Sequence, residues 1–587
     1  MDIRAVERLI NTSQKRTEAD FILKNAIVAD VFSLCWRKAN IVVADGKIIA
    51  LDEKDEFTAK SVEDANGKYV IPGLIDAHIH IESSMLPPSQ FSQLLLPHGI
   101  TSVITDPHEI VNVSGSTGIE FMLNEANNAK MDIYFMLPSS VPSTSFEHAG
   151  AVMKAKDLSP FLQNEKVLGL AEVMDYPAVL NADLDMLEKL SLIQNVNKII
   201  DGHGAGLSRD QIRGYRAAGI QTDHECVTAE EARERIKQGM YVFIRQGSAA
   251  KNLVDLLPAV TPANARRFAF CTDDKHLDEL MKEGSINFSI SLAIKHGMNP
   301  LQAIQLATLN AAECYRLYDK GAIAEGYIAD FITIEDLQSM KISSVWKDGV
   351  KVAENGKALH EEKAPNSINK SILHSVHIPS LTPKDFEIPF RNSNYANVIK
   401  IMPNQITTKH IKQQVDVLNG LFVPSVEKDL LKLAVIERHH SLGTKGLAIV
   451  HGFGLRKGAV ATTVAHDSHN AIVVGTNDED MITALEALQT MQGGLVVVDE
   501  GKVIGSLALP LAGLMTTLPA EEAVQKIQEV HEALHQIHPD LHYHFFLTLS
   551  FLSLPVIPEL KLTDTGLFDV RNFKHIEIED LSDNSVI

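Results

Sequence analysis

The sequence predicts an α/β protein centred on a (β/α)8 barrel of the TIM type, with a small flanking β domain and a C-terminal α/β domain. Three observations carry this prediction. Eight short apolar runs alternate with helical segments over about 250 residues, the usual size of such a barrel. Several of these runs end in His, Asp or Glu, and a barrel of this kind builds its active site where its strands end. Short β-like pieces lie on both sides of the alternating region.

Taken in order, residues 1–20 form a helical lead-in, with Val6, Leu9 and Ile10 on one face expected to pack on the main body. Residues 21–70 hold strands at 21–28, 39–43 and 47–51, with a hairpin turn at Asp45-Gly46. Similar strands return at 330–334 and 345–352, so residues 21–70 together with 321–362 read as one β domain. The barrel occupies 71–320. Its first strand runs from Leu74 to His80, and the others fall at 101–105, 131–137, 167–171, 198–202, 219–222, 240–244 and 268–272. A polar linker is expected at 366–371, and residues 375–587 form the third domain. That domain has strands at 447–450, 471–474 and 495–498 and helices near 478–492 and 520–535. The first helix starts after Asn477 with Asp478, Glu479 and Asp480, and stops at Gly493-Gly494.

The apolar fraction of 45% and charged fraction of 22% suit a water-soluble globular chain. A net charge of −21 argues against binding a phosphate backbone, and a small substrate fits better. The four cysteines are scattered without a C-x-x-C, which together with the lack of a secretory leader points to a reduced, cytoplasmic protein. No uncharged apolar run reaches about 18 residues, so no membrane span is expected. A homo-oligomer is expected.

Side chains on a strand alternate, so His78 and His80 leave one face about 6.6 Å apart and can grip one metal ion. Asp106, His108 and Glu109 follow strand two, Glu172 ends strand four, His203 follows strand five, His224 strand six and Asp273 strand eight. Alone, each of these is more often a core or surface residue than a ligand. As a set at the strand ends they converge. His78, His80 and Asp273 would share one metal, His203 and His224 a second, and Glu172 would bridge them. For Asp106, His108 and Glu109 a capped turn is an equal reading. Arg245 and Ser248 follow strand seven and could hydrogen-bond a substrate edge, though Arg245 could equally form a structural ion pair. His466 and His469 resemble a ligand pair, but a loop covering the barrel mouth, or a plain turn, is favoured over a separate catalytic site.

This pattern resembles the amidohydrolase superfamily. Glu172, in Leu168-Gly-Leu-Ala-Glu-Val-Met174, stands where hydantoinases and dihydroorotases carry a lysine that becomes carboxylated. Asp76-Ala-His-Ile-His-Ile-Glu-Ser-Ser84, Thr105-Asp-Pro-His-Glu-Ile110, Asp201-Gly-His-Gly204 and Cys271-Thr-Asp-Asp274 resemble the bacterial adenine deaminase family. So do Gly452-Phe-Gly-Leu455, Ala465-His-Asp-Ser-His-Asn470 and Leu554-Pro-Val-Ile-Pro-Glu-Leu560 in the third domain. The resemblance spans nearly the whole chain. It implies hydrolysis of adenine to hypoxanthine and ammonia, as in purine salvage, at a binuclear divalent centre of manganese or iron; zinc is less expected.

The residue types suit that chemistry. C6 of adenine is a poor electrophile, and a hydroxide held by two cations is available at neutral pH because metal binding lowers the pKa of water to about 7. Ammonia leaves only once its nitrogen is protonated. Asp273, Glu109 and His224 are the catalytic candidates: Asp273 takes the proton of the attacking water, and Glu109 protonates the ring or the amine. Four imidazoles and two carboxylates admit manganese, iron or zinc. The zinc deaminase signature of nucleobase editing enzymes needs a C-x-x-C, which is absent. Rival readings are another amidohydrolase acting on a cyclic amide or a different purine, and a non-catalytic barrel scaffold. Glu172 disfavours the cyclic amide, and the complete ligand set disfavours the scaffold.

Overall fold

The computed structural model describes residues 2–360, 368–403 and 405–581. Its centre is a barrel of eight strands: β1 (Leu74–Ile79), β2 (Ile100–Thr105), β3 (Asp132–Leu137), β4 (Val167–Val173), β5 (Ile199–Gly202), β6 (Thr222–Asp223), β7 (Tyr241–Arg245) and β8 (Phe268–Cys271). Neighbours from β1 to β5 and from β6 to β8 pair in parallel. β1 and β2 are buried at every residue, as parallel strands covered on both faces must be. Ile75, Ile104, Met136, Ala171, Phe243 and Ala269 fill the interior.

Two seams close the barrel. Between β5 and β6, Gln221 donates its N–H to the Ile200 carbonyl at 2.9 Å. Between β8 and β1, Asp273 N–H donates to His78 O at 2.9 Å and His80 N–H donates to Asp273 O at 3.3 Å. The second seam has a chemical result, because it sets Asp273 beside both histidines. β6 lies three residues later than the 219–222 expected from sequence. Gly219, with φ of 90°, and Ile220 still close the preceding helix, their N–H groups bonding back to Arg216 and Tyr215.

Strands from both flanks of the barrel form one nine-stranded sheet. Its join is Tyr69–Pro72, which pairs in parallel with Ala19–Asp30 and antiparallel with Phe331–Asp336. The hairpin between Cys35–Ala44 and Lys47–Asp52 turns at Asp45 and Gly46, whose φ angles of 48° and 72° are those of a tight two-residue turn. The lead-in helix, Ile3–Ser13, departs from expectation. Leu9 packs inward, but Val6 and Ile10 stay exposed, and Ala19–Asp30 already begins the sheet before residue 20. Arg8, paired with Asp20 and Asp45, anchors this helix in place of the expected apolar face.

Of the expected linker, residues 366 and 367 lie outside the described residues, as do 361 and 362 of the β domain and 582–587 at the C-terminus. The rest of it is partly helical: Asn369 caps a short helix, Lys370–Leu373. Beyond it stands an eight-stranded sheet carrying helices Asp478–Met491 and Ala520–Ile537. Asn477 accepts the Asp480 N–H, and Gln492 adopts the left-handed conformation that ends the first helix. Strands Ala459–Thr462 and Ala471–Gly475 are antiparallel neighbours, and the loop joining them carries His466, Asp467 and His469. This third region contacts the barrel directly. His148 Nδ1 lies 2.6 Å from Asp564, and Phe146 packs on Phe568. Among the described residues no helix is long and apolar enough to cross a membrane.

Candidate metal centre

Each of the six expected ligands reaches one buried point at the carboxyl end of the barrel. Glu172 is at its middle. Its Oε1 faces His80 Nε2 at 3.3 Å and His78 Nε2 at 3.9 Å, while its Oε2 faces His203 Nδ1 at 2.6 Å and His224 Nε2 at 3.1 Å. Asp273 Oδ1 lies 3.0 Å from His80 Nε2 and 3.5 Å from His78 Nε2. One carboxylate thus turns one oxygen to each histidine pair. In one respect the grouping is less tidy than expected, since the His78 ligand atom clusters with His224 as well as with Asp273.

The donor set fits divalent cations. Nε2 of His78 and Nε2 of His224 are buried without a hydrogen bond, which costs free energy unless something else is met there. Burial, with His224 close by, lowers His78 to about 4, whereas for His80, His203 and His224 burial is outweighed by the carboxylates facing them, which raise them. Burial alone would raise Glu172, but His203 and the other imidazoles hold it well below the usual carboxylate range. Burial would likewise raise Asp273, and the Arg245 guanidinium outweighs it. Imidazole with carboxylate suits several first-row divalent metals, so the donors do not by themselves select one.

Asp106 and His108 stay beside this point: their donor atoms fall with those of His80 and Glu172, and His108 Nδ1 lies 3.6 Å from Glu172 Oε1. Asp106 also makes the expected turn, one oxygen accepting the His108 N–H at 3.1 Å while the other lies 2.9 Å from His108 Nδ1. His80 Nδ1 lies 3.0 Å from the Asp106 carbonyl, which orients the ring. Arg245 is in an ion pair. Its Nη1 bonds Asp273 Oδ2 at 2.7 Å and also meets Glu225. Ser248 stands apart from the ligands. Its hydroxyl donates to Glu279 at 2.6 Å and accepts the His276 N–H at 3.0 Å.

Ser248 instead lines an outer cavity of about 1140 Å³ between the barrel and the third region. The outer cavity and the ligand cluster share Glu225, Arg245, Ala249, Ala250, Ile406 and Ile557, so the larger space is the approach to the smaller. Phe551, Leu554, Ile557 and Ile406 make an apolar roof over the cluster, and His466 and Asp467 enter beside it. Glu225 and Asp467 were missed from sequence, and Asp274 entered only as the next-residue alternative to Asp273. Glu225 and Asp274 directly follow His224 and Asp273, which was a usable signal. Asp467 lay inside the 465–470 stretch already singled out, but its neighbour His108 is far away in the chain, so its place at the site was not readable.

A barrel with such a ligand cluster defines a metal-dependent hydrolase, and residues 69–352 match the amidohydrolase family. Residues 405–574 match the adenine deaminase C-terminal domain. Over 97% of its length the chain is 62% identical to adenine deaminase of Lysinibacillus sphaericus (strain C3-41), covering 98% of that protein. It is 50% identical to adenine deaminase of Geobacillus kaustophilus (strain HTA426), with 97% of this chain and 98% of that one aligned. With adenine deaminase of Bacillus subtilis (strain 168) it shares 48% identity over 99% of this chain and all of that protein. The chain belongs to the adenine deaminase family.

Proposed function

We infer that this protein hydrolyses adenine to hypoxanthine and ammonia, with the barrel (71–320) supplying the ligands and the region from 375 onward supplying the roof. The observation that carries the mechanism is the division of the Glu172 oxygens between two histidine pairs. His78, His80 and Asp273 would hold one cation, His203 and His224 the other, and Glu172 both; manganese or iron is the expected metal. When bound, the two cations supply Lewis acidity and lower the pKa of water to about 7 in favourable sites.

The protein's own groups do the rest. Arg245 pins Asp273 Oδ2, leaving Oδ1 turned to the histidines, where it can accept a proton from the attacking water. Addition at C6 makes that carbon tetrahedral, and the amine departs once a proton reaches its nitrogen. Glu109, at the cluster's edge, is the group to pass it on: burial would raise its carboxyl, but His466 and His469 hold it well below the usual carboxylate range, so it relays a proton from a neighbour. The apolar roof suits the face of a flat base and excludes water. The names of the relatives support adenine as that base.

Ammonia release from adenine, adenosine, guanine and hydantoin tests this reading. Adenine is expected to be turned over fastest, and adenosine far more slowly, because a ribose must find room beneath the roof. Hydantoin ring opening without ammonia release from adenine would overturn it.

A further inference from the structure

The loop from the third region does more than cover the barrel. His466 Nδ1 lies 2.8 Å from Glu109 Oε1, and His469 Nε2 lies against Glu109 Oε2. Both imidazoles and the carboxylate are buried. The loop is clamped in this pose. Arg438 bonds the His469 carbonyl through Nε and the carbonyls of Ser375 and Ala512 through its other nitrogens. His466 N–H donates to Ser550 O at 3.0 Å, and its ring stacks on Phe551 at 4.3 Å.

Glu109, His466 and His469 could hold a cation between them. The tautomer argues otherwise. The Ala465 N–H donates to His469 Nδ1 at 3.1 Å, so Nδ1 carries no proton. A ligating histidine almost always donates its second ring N–H to an acceptor, and His469 has none to donate. Its proton therefore sits on Nε2 and points at Glu109. Protonating Nδ1 would break the backbone bond, which keeps this ring neutral. His466 has no such restraint. Glu109, Asp274, Asp467, His469 and His276 are the titratable groups that face it.

Resting on the deaminase reading, we propose that His469 and His466 are positioning residues for Glu109: His469 is a fixed neutral ring whose Nε2 lies against the carboxylate and orients it, and His466 supplies the proton that Glu109 passes to the purine. The proton passes from His466 Nδ1 to Glu109 Oε1 and on to the purine, leaving imidazole protonated on Nε2, and once product has left, a proton from water in the emptied site returns to Nδ1 through the same carboxylate. Burial would lower His466, yet Glu109 raises it to about 9, so it holds a proton at neutral pH.

The test uses full-length, metal-loaded protein. His466→Asn keeps an N–H near the Nδ1 position but cannot release a proton. Its kcat should fall 10²-fold or more, with KM within about threefold of wild type, metal content unchanged, and the alkaline limb of the kcat–pH profile abolished. His469→Gln keeps a donor near Nε2 and should hold kcat within about threefold, whereas His469→Leu should lose more than about tenfold. A second measurement needs no turnover. In metal-free protein labelled with ¹⁵N-histidine, the signals lost in His469→Gln should be those of a neutral ring protonated on Nε2. Wild-type kcat and pH profile in His466→Asn, a His469 ring protonated on Nδ1, or loss of bound metal in either conservative variant would overturn the proposal. Absence of ammonia release from adenine by the wild-type enzyme would instead overturn the activity reading, and the relay with it.

Discussion

At the scale of single residues, a few contacts hold the centre: the Asp106 carbonyl orients His80, Arg245 pins Asp273, and Glu172 faces all four imidazoles. His78→Ala or His80→Ala should therefore abolish turnover by losing metal while leaving the fold intact. Metal content by elemental analysis and the circular dichroism spectrum check this together; full metal with no turnover would contradict the ligand assignment. Asp273 separates binding from chemistry. Asp273→Asn keeps size and removes basicity, and loss of a general base costs typically 10²–10⁴-fold. A large fall in kcat with a modest change in KM is expected, the pattern of an interaction made mainly in the transition state. Glu109→Gln should show a similar fall with metal content unchanged, because Glu109 bonds histidines outside the ligand set.

At the scale of elements, the strands decide where the ligands arrive. β4 approaches β5 so closely that a Cβ on Gly169 would lie 1.9 Å from the Ile199 carbonyl oxygen and 2.8 Å from Met136. Overpacking of this kind costs about 1–3 kcal/mol, and here it would push β4 outward just before Glu172. Gly169→Ala should lower the denaturation midpoint and metal affinity together, as chemical unfolding and metal titration would show. The barrel ligands were legible in sequence because each directly follows an apolar run whose period and burial are local properties. His78 and His80 are the clearest case, two residues apart at the end of β1. The position of β6 was misjudged by three residues, since Gly219 and Ile220 look like strand residues but complete a helix cap through bonds to Arg216 and Tyr215. The partnership of His466 and His469 with Glu109 was not legible. Their spacing marked a pair, but which surface a loop meets depends on contacts more than 350 residues apart in sequence.

At the scale of the whole molecule, the third region and the barrel form one site. Lys561 joins the two walls of the roof, donating to the carbonyls of Ile406 and Phe551 from full burial. Burial lowers its ammonium from 10.5 to about 7. Between those values the unfolded chain binds a proton that the folded chain does not. Its contribution to stability is therefore flat below about 7 and increases as pH rises from about 7 toward 10.5, by at most about 1.4 kcal/mol per pH unit. Lys561→Met should remove that increment from the pH dependence of stability. Denaturant unfolding of both proteins at pH 7, 8 and 9 measures the difference in slope, and identical slopes would place the Lys561 proton differently.

The loop that completes the site also has a consequence in time. All six ligands belong to the part of the chain that ends with the barrel, whereas His466 follows about 150 residues later, on the order of 10–30 s of synthesis at about 5–20 residues per second. A nascent barrel thus offers its histidines and carboxylates to the surrounding solution before the chain that roofs them has been made. Whichever divalent ion is plentiful and quick to exchange in that interval meets an open cup, and the later strands fold down over it. Metal capture at that stage would make the metal of the finished enzyme follow the ions supplied during synthesis, which expression in manganese-rich and iron-rich media would reveal.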